Sequence, residues 1–135
     1  MKITVTPYAD NPEPDPTDPL GLIRIQDDDG KELSVGSACM DEWLSALISG
    51  LNAIETGASG LQVDIDSERD PLMWFSDSQT ATFTFQGRTI VIRDVEAFRQ
   101  ELRRSALEIT DKYRRHSNWK KCAVFRAVRY WAEQV

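Results

Sequence analysis

Histidine and cysteine are scarce in this chain, which limits the chemistry it can carry. His116 is the only histidine, and Cys39 and Cys122 are the only cysteines among 135 residues. Two cysteines do not make a disulfide framework, and a zinc site needs more ligands than one histidine supplies. The chain also lacks a Gly-x-Ser-x-Gly elbow, a phosphate-binding loop and a His-Glu-x-x-His motif. We therefore predict no catalytic residue, no bound metal and no cofactor, and a protein that is not an enzyme.

Long apolar runs are missing as well. No stretch approaches the roughly 20 apolar residues that span a bilayer, and the segment Met1–Pro7 has no signal-peptide core. A hydrophobic fraction of 41% with 28% charged residues is ordinary for a globular domain. We expect one cytoplasmic domain over residues 1–135, with no membrane partner.

Charge is divided unevenly along the chain. Residues 1–70 contain 15 acids and four bases, whereas residues 71–135 contain 7 acids and 12 bases, and the net charge is −6. An acidic half repels nucleic acid and steers basic proteins toward it. The division predicts a type of partner rather than a reaction.

Local patterns in the first half predict strands, a loop and a helix. Ile3 and Val5 alternate with polar residues in a short strand, Lys2–Thr6. Four prolines within residues 10–19 predict an acidic surface loop, which is either a spacer or a partner-binding arm. The turn Asp27–Gly30 separates two strand-like runs and predicts a hairpin. Apolar residues at three- and four-residue spacing then predict a helix over Asp41–Thr56.

The second half reads as an antiparallel meander followed by helices. Strands are predicted at Leu61–Ile65, Leu72–Phe75, Ala81–Phe85 and Thr89–Arg93. Pro71 suggests that the second of these begins at a sheet edge or after a bulge. Asp94 caps a helix of roughly 20 residues that ends near Tyr113, and a last helix covers Trp119–Glu133. We predict a single α+β domain with a mainly antiparallel sheet of about five to seven strands and three helices largely on one face.

Two acidic clusters are candidates for binding a basic protein. The first is Asp27, Asp28 and Asp29 at the hairpin tip, where aspartate is also an ordinary turn residue. The second is Asp64, Asp66, Glu68 and Asp70, which a continued strand would place on one face, either solvated or partner-binding. This second cluster is not an EF-hand, because Arg69 and Phe75 stand where that loop needs glycine and glutamate.

Basic residues of the C-terminal helices offer the alternative function of a regulatory or nucleic-acid-associated module. Its contacts would be Arg103, Arg104, Arg114, Arg115, Lys120 and Lys121, with aromatic residues interleaved. Those aromatic residues recur, however, at the spacing of buried positions on a helix. In addition, Glu108–Lys112 and Asp111–Arg115 have the i,i+4 spacing of ion pairs that would compensate part of the positive charge. Binding of a basic protein is therefore favoured over binding of nucleic acid.

Several of these features together resemble a known class of protein. They are the hairpin Asp27–Gly30, the helix start Asp41–Leu44, the carboxylates at 64–70, and the strand-rich segment that runs into Asp94–Tyr113. In style they are similar to the small acidic immunity proteins that accompany bacterial toxins in polymorphic and contact-dependent competition systems. The resemblance implies that the chain neutralises a cognate toxin, often a nuclease, by tight association without turnover. Its acidic residues would then occupy the toxin's cationic active site.

Overall fold

The computed structural model describes residues 1–9, 12–77 and 79–134, and it confirms the α+β class. The strands of the described residues are β1 (Lys2–Pro7), β2 (Leu20–Gln26), β3 (Glu32–Cys39), β4 (Gly60–Val63), β5 (Leu72–Ser76), β6 (Ala81–Phe85) and β7 (Arg88–Ile92). The helices are α1 (Met40–Glu55), α2 (Val95–Tyr113) and α3 (Ala123–Gln134), and a 3₁₀ helix covers Ser117–Lys121.

The strands form two antiparallel sheets rather than the single sheet expected. One sheet has the order β1-β2-β3 and the other has the order β4-β5-β6-β7. Strand β3 lies beside β7, but they do not form a ladder. At this junction the Val91 amide donates to the Asp27 carboxylate across 3.0 Å. A side chain therefore takes one of the backbone donors that a continuous sheet would use for strand pairing.

The first sheet follows the predicted alternation closely. Ile3 and Val5 of β1 are buried, and their neighbours Lys2 and Thr4 are exposed. The turn between β2 and β3 includes Gly30 at a φ of 83°, a conformation that suits glycine. The hairpin prediction is thereby confirmed.

The second sheet corrects two expectations. Strand β4 ends at Val63, so the carboxylates from Asp64 onward lie in a loop rather than on a continued strand. Strand β5 lies between β4 and β6 in the interior of the sheet. Pro71 precedes this strand and takes no part in its ladder, which is why a proline next to it is tolerated.

Helix α1 supplies much of the core shared by the two sheets. Trp43, Leu44, Leu47 and Leu51 are fully buried, as their spacing predicts. Gly50 lies against the indole ring of Trp74 from β5. Because glycine has no side chain, the Trp74 ring packs directly against the backbone of α1.

Helix α2 begins as predicted, because Asp94 accepts a hydrogen bond from the Ala97 amide at 3.0 Å. It also covers the outer edge of β1. The Ile3 amide donates to Glu101 at 2.9 Å, and Arg104 donates to the Ile3 carbonyl at 2.8 Å. These two side chains occupy backbone groups that an open strand edge would leave free for another chain.

The C-terminal segment is divided where a single helix was predicted. The 3₁₀ helix ends at Lys121, and α3 begins at Ala123 rather than at Trp119. The Tyr113 ring stacks on Phe125 with 4.9 Å between centroids, which joins α2 to α3. None of the described helices is long and apolar enough to cross a bilayer.

The proline-rich segment is packed more closely than a surface loop. Pro14 and Pro16 are buried, and Asn118 donates to the Asp15 carboxylate at 3.1 Å. Asp10 and Asn11, which belong to the predicted loop, lie outside the described residues. The described part of the segment is thus anchored beside the 3₁₀ helix.

Candidate protein-binding surface

Asp27, the first residue of the hairpin cluster, is turned into the protein. Its side chain is only 6% exposed. One carboxylate oxygen accepts hydrogen bonds from the amides of Asp29 and Lys31 at 3.0 and 2.9 Å, and the other accepts from Val91. This carboxylate organises the turn and joins the two sheets, so it is not presented to a partner.

The other two hairpin acids face solvent but have cationic partners. Asp28 forms an ion pair with the N-terminal ammonium group. Asp29 pairs with Arg93 at 2.8 Å, and the hydrogen bond from that guanidinium lowers the pKa of Asp29. The hairpin tip is therefore not the free anionic knob that the run of three aspartates predicted, because partners from distant parts of the chain neutralise it.

The second acidic cluster occupies the loop between β4 and β5, where its carboxylates accept hydrogen bonds but form no ion pair with another described residue. Its hydrogen bonds come from uncharged donors: Gln62 to Asp64 at 3.0 Å, Trp43 to Glu68 at 3.2 Å, and Gln86 to Asp70 at 3.1 Å. Across the described ranges, no ion pair involves any of its four carboxylates. No cationic group in the part of the chain that the structure describes therefore compensates their negative charge.

Part of this cluster lines an open groove of about 160 Å³. Asp64 and Asp66 come from the loop after β4, and Glu42 comes from the first turn of α1. The other lining residues are uncharged: Ser45, Ala46, Ser49, Val63, Ile65 and Val124. The groove therefore combines three carboxylates with apolar surface, and none of the described residues that line it is basic.

Sequence reasoning did not include Glu42 or Val124 in the candidate site. A signal for the first was present, because Glu42, Ser45 and Ser49 recur at three- and four-residue spacing and so share one side of α1. No local pattern could have placed Val124 there, because Val124 follows Asp64 by 60 residues in the sequence. The two residues come together only in the folded protein, where both line the groove.

Burial near the start of α1 affects three titratable groups. It raises the pKa of the half-buried Asp41 and of the thiols Cys39 and Cys122. A raised thiol pKa is opposite to the shift that activates a cysteine nucleophile. His116 accepts a hydrogen bond at Nδ1 from the Asn118 amide, at 3.0 Å, and caps the 3₁₀ helix. Within the described part of the chain, no group of three His, Cys, Asp or Glu residues is placed to hold a metal ion.

The basic residues proposed for the alternative function are partly engaged within the protein. Arg103 donates to the Ala132 carbonyl at 2.9 Å, and Arg104 pairs with Glu101 and Glu108. Arg114 lies 3.6 Å from Asp111. Arg115, Lys120 and Lys121 have no ion-pair partner among the residues described.

Both i,i+4 ion pairs predicted on α2 are wrong, because each acidic residue pairs with a different basic residue from the one predicted. Glu108 pairs with Arg104 instead of Lys112. Asp111 pairs with Arg129 of α3 at 2.8 Å and with Arg114, instead of Arg115. The docking of α3 supplies a tertiary partner that the spacing along α2 does not reveal.

Comparisons with protein-family models, with curated proteins and with solved structures find no match. A function for this chain therefore has to be proposed from the shape and the charge of the acidic groove.

Proposed function

We propose that this chain is a non-enzymatic inhibitor that binds a basic protein partner through the groove lined by Glu42, Asp64 and Asp66. The partner is a cognate bacterial toxin with a cationic active site, such as a nuclease. The chain then acts as an immunity protein in the cytoplasm of the cell that makes it.

The observation that carries this proposal is the contrast between the two acidic clusters. Asp28 and Asp29 pair with cationic groups of the same chain, whereas Asp64 and Asp66 are exposed and have no such partner among the residues that the structure describes. Carboxylates that face solvent without a partner raise the local negative potential and attract a basic protein. The contacts of Arg103, Arg104 and Arg114 with acceptors of the same chain favour this function over the nucleic-acid-associated alternative.

The chemistry of a nuclease explains why such a groove would inhibit it. A nuclease active site must be cationic to hold phosphate, so carboxylates can occupy it as substrate mimics. Steering by complementary charge can raise association rates toward about 10⁸–10⁹ M⁻¹s⁻¹. The apolar lining of the groove would then contribute to the lifetime of the complex.

The test is to sequence the genes beside this one, to co-express the chain with any toxin-like domain found there and score growth, and then to measure association by stopped flow. We expect the wild type to restore growth. The double variant Asp64→Asn and Asp66→Asn should slow association by about tenfold and weaken its dependence on salt.

The matched control is Glu96→Gln with Glu108→Gln, which removes the same charge from α2. Both of these side chains are 59% exposed and pair with arginines of their own helix. Equal slowing by the two double variants would show that net charge alone governs association. Absence of both growth rescue and a stable complex would reject the immunity function itself.

A further inference from the structure

The exposed side of α3 is divided between an apolar stripe and a charged stripe. The apolar stripe consists of Ala123, Val124, Ala127, Tyr130 and Trp131, which recur at three- and four-residue spacing. Tyr130 is 68% exposed and Val124 is 38% exposed, while Trp131 is half-buried. The charged stripe contains Arg126, Arg129 and Glu133. A helix that already buries Phe125, Val128 and Ala132 therefore carries a second apolar side toward solvent.

This apolar stripe is continuous with the acidic groove. Val124 belongs to both, because it lies in the first turn of α3 and also lines the groove with Glu42, Asp64 and Asp66. From Val124 the stripe extends along α3 for two turns to Trp131. The acidic groove and the apolar stripe thus meet at Val124.

We propose that the groove and the stripe together bind one segment of the partner, in which a lysine or arginine side chain stands next to apolar side chains. This inference rests on the proposed function and names the chemistry of its partner. The cationic side chain enters the groove, and the apolar side chains cover Val124, Ala127 and Tyr130.

Charge complementarity selects this occupant. The groove has three carboxylates and no basic lining residue, so a cation is the complement that it lacks. The stripe has no charged member, and its large side chains gain most by contact with apolar groups. A purely basic segment would leave the stripe in water, and a purely apolar segment would leave the carboxylates without a counter-charge.

The experiment uses two synthetic peptides of equal length and equal lysine content. The first peptide is an amphipathic helix with lysine on one face and leucine on the opposite face. The second peptide has serine in place of every leucine. Binding to the full chain is measured by fluorescence anisotropy at low and at high salt. We expect the lysine–leucine peptide to bind about tenfold more tightly than the lysine–serine peptide.

Variants separate the two parts of the surface. Ala127→Ser with Tyr130→Ser changes two stripe residues that do not line the groove, and it should lower the affinity for the leucine peptide until its advantage over the serine peptide is lost. Phe75→Ser is the matched control, because Phe75 is also a large exposed side chain, 53% exposed, but belongs to β5. It should preserve the advantage. Asp64→Asn with Asp66→Asn should weaken binding of both peptides.

The outcomes distinguish this inference from the proposed function. Equal binding of the two peptides, or an equal loss in the Phe75 variant, would overturn the role of the stripe and leave the acidic groove as the binding site. Failure of the Asp64 and Asp66 substitutions to weaken either peptide would overturn the groove as well.

Discussion

Among single residues, Asp27 and Asp66 show how differently two aspartates of the same acidic half are used. Asp27 is buried and accepts hydrogen bonds from three backbone amides. Asp66 is exposed and lines the groove. The sequence places both in acidic runs, and their neighbours along the chain do not distinguish them. One of the three amides that bind Asp27 comes from Val91, which is 64 residues away in the sequence.

Replacing Asp27 tests its structural role. Asp27→Ala leaves the half-buried Val91 amide without this acceptor, and we expect the free energy of unfolding to fall by about 1–3 kcal/mol. Asp27→Asn should be intermediate in stability, because one oxygen remains but an amide group then meets one of the donors. Urea denaturation measures both. The control Asp28→Ala, 63% exposed at its side chain, should change stability by less than about 0.5 kcal/mol. Equal effects at positions 27 and 28 would contradict the structural role.

Asp41 allows a prediction with a defined pH dependence. Burial raises its pKa above the ordinary value of 3.8, so the folded state binds this proton more tightly than the unfolded state does. Wild-type stability therefore decreases as pH rises from that value through the raised folded pKa. Asp41→Asn removes this loss. We expect the variant to be more stable than the wild type at neutral pH, with the difference vanishing at low pH, in thermal unfolding curves recorded at several pH values. A constant difference across the range would exclude this titration.

Among the elements, α1 packs on the second sheet through Gly50 against the Trp74 ring and through Trp43 against Phe85. Alanine forms helices better than glycine by about 1 kcal/mol, so Gly50→Ala would stabilise an isolated α1. In the folded protein, however, a Cβ at this position would stand 2.0 Å from the Trp74 ring. The ring cannot give way cheaply, because Trp74 is fully buried.

We therefore expect Gly50→Ala to lower the free energy of unfolding by about 1–3 kcal/mol, since overpacking outweighs the gain in propensity. A chemical denaturation curve measures the change. The control Asn52→Ala changes an exposed residue of the same helix and should raise stability by a few tenths of a kcal/mol. A stabilising effect at Gly50 would mean that α1 does not pack against Trp74 in this way.

For the whole molecule, acid should weaken the fold through its hydrogen-bonded carboxylates. The pKa of Asp15 is lowered chiefly by the Thr17 amide, that of Asp77 by the Thr80 amide, and that of Asp29 by Arg93. A lowered folded pKa contributes stability that is present above the ordinary value of 3.8 and is lost as pH falls through the folded pKa. We expect the melting temperature to drop in that range.

Two variants locate part of this acid sensitivity at the junction of the sheets. Asp29→Asn removes the titrating group, and Arg93→Gln removes the partner that lowers its pKa. Each should make the melting temperature depend less steeply on pH below 3.8. If both variants keep the slope of the wild type, the Asp29–Arg93 pair contributes nothing to it.

Much of the fold could be predicted from the sequence, and less of the candidate site. The strand Ala81–Phe85, the hairpin about Gly30, the Asp94 cap and the apolar side of α1 depend on residues a few positions apart. The division of the sheet and the start of α3 at Ala123 depend on contacts between distant segments. Of the residues that line the candidate groove, the sequence singles out Asp64 and Asp66 but not Glu42 or Val124.

By itself, the sequence determined the α+β class, most of the elements and the acidic bias of the first half, because periodicity, capping and charge are local properties of a chain. Only the tertiary structure decided which of the described carboxylates have a cationic partner and which have none. Each charge is neutralised by whichever group the fold brings within hydrogen-bonding distance, as Arg93 is brought to Asp29 from 64 residues away. No such group reaches Asp66 among the described residues.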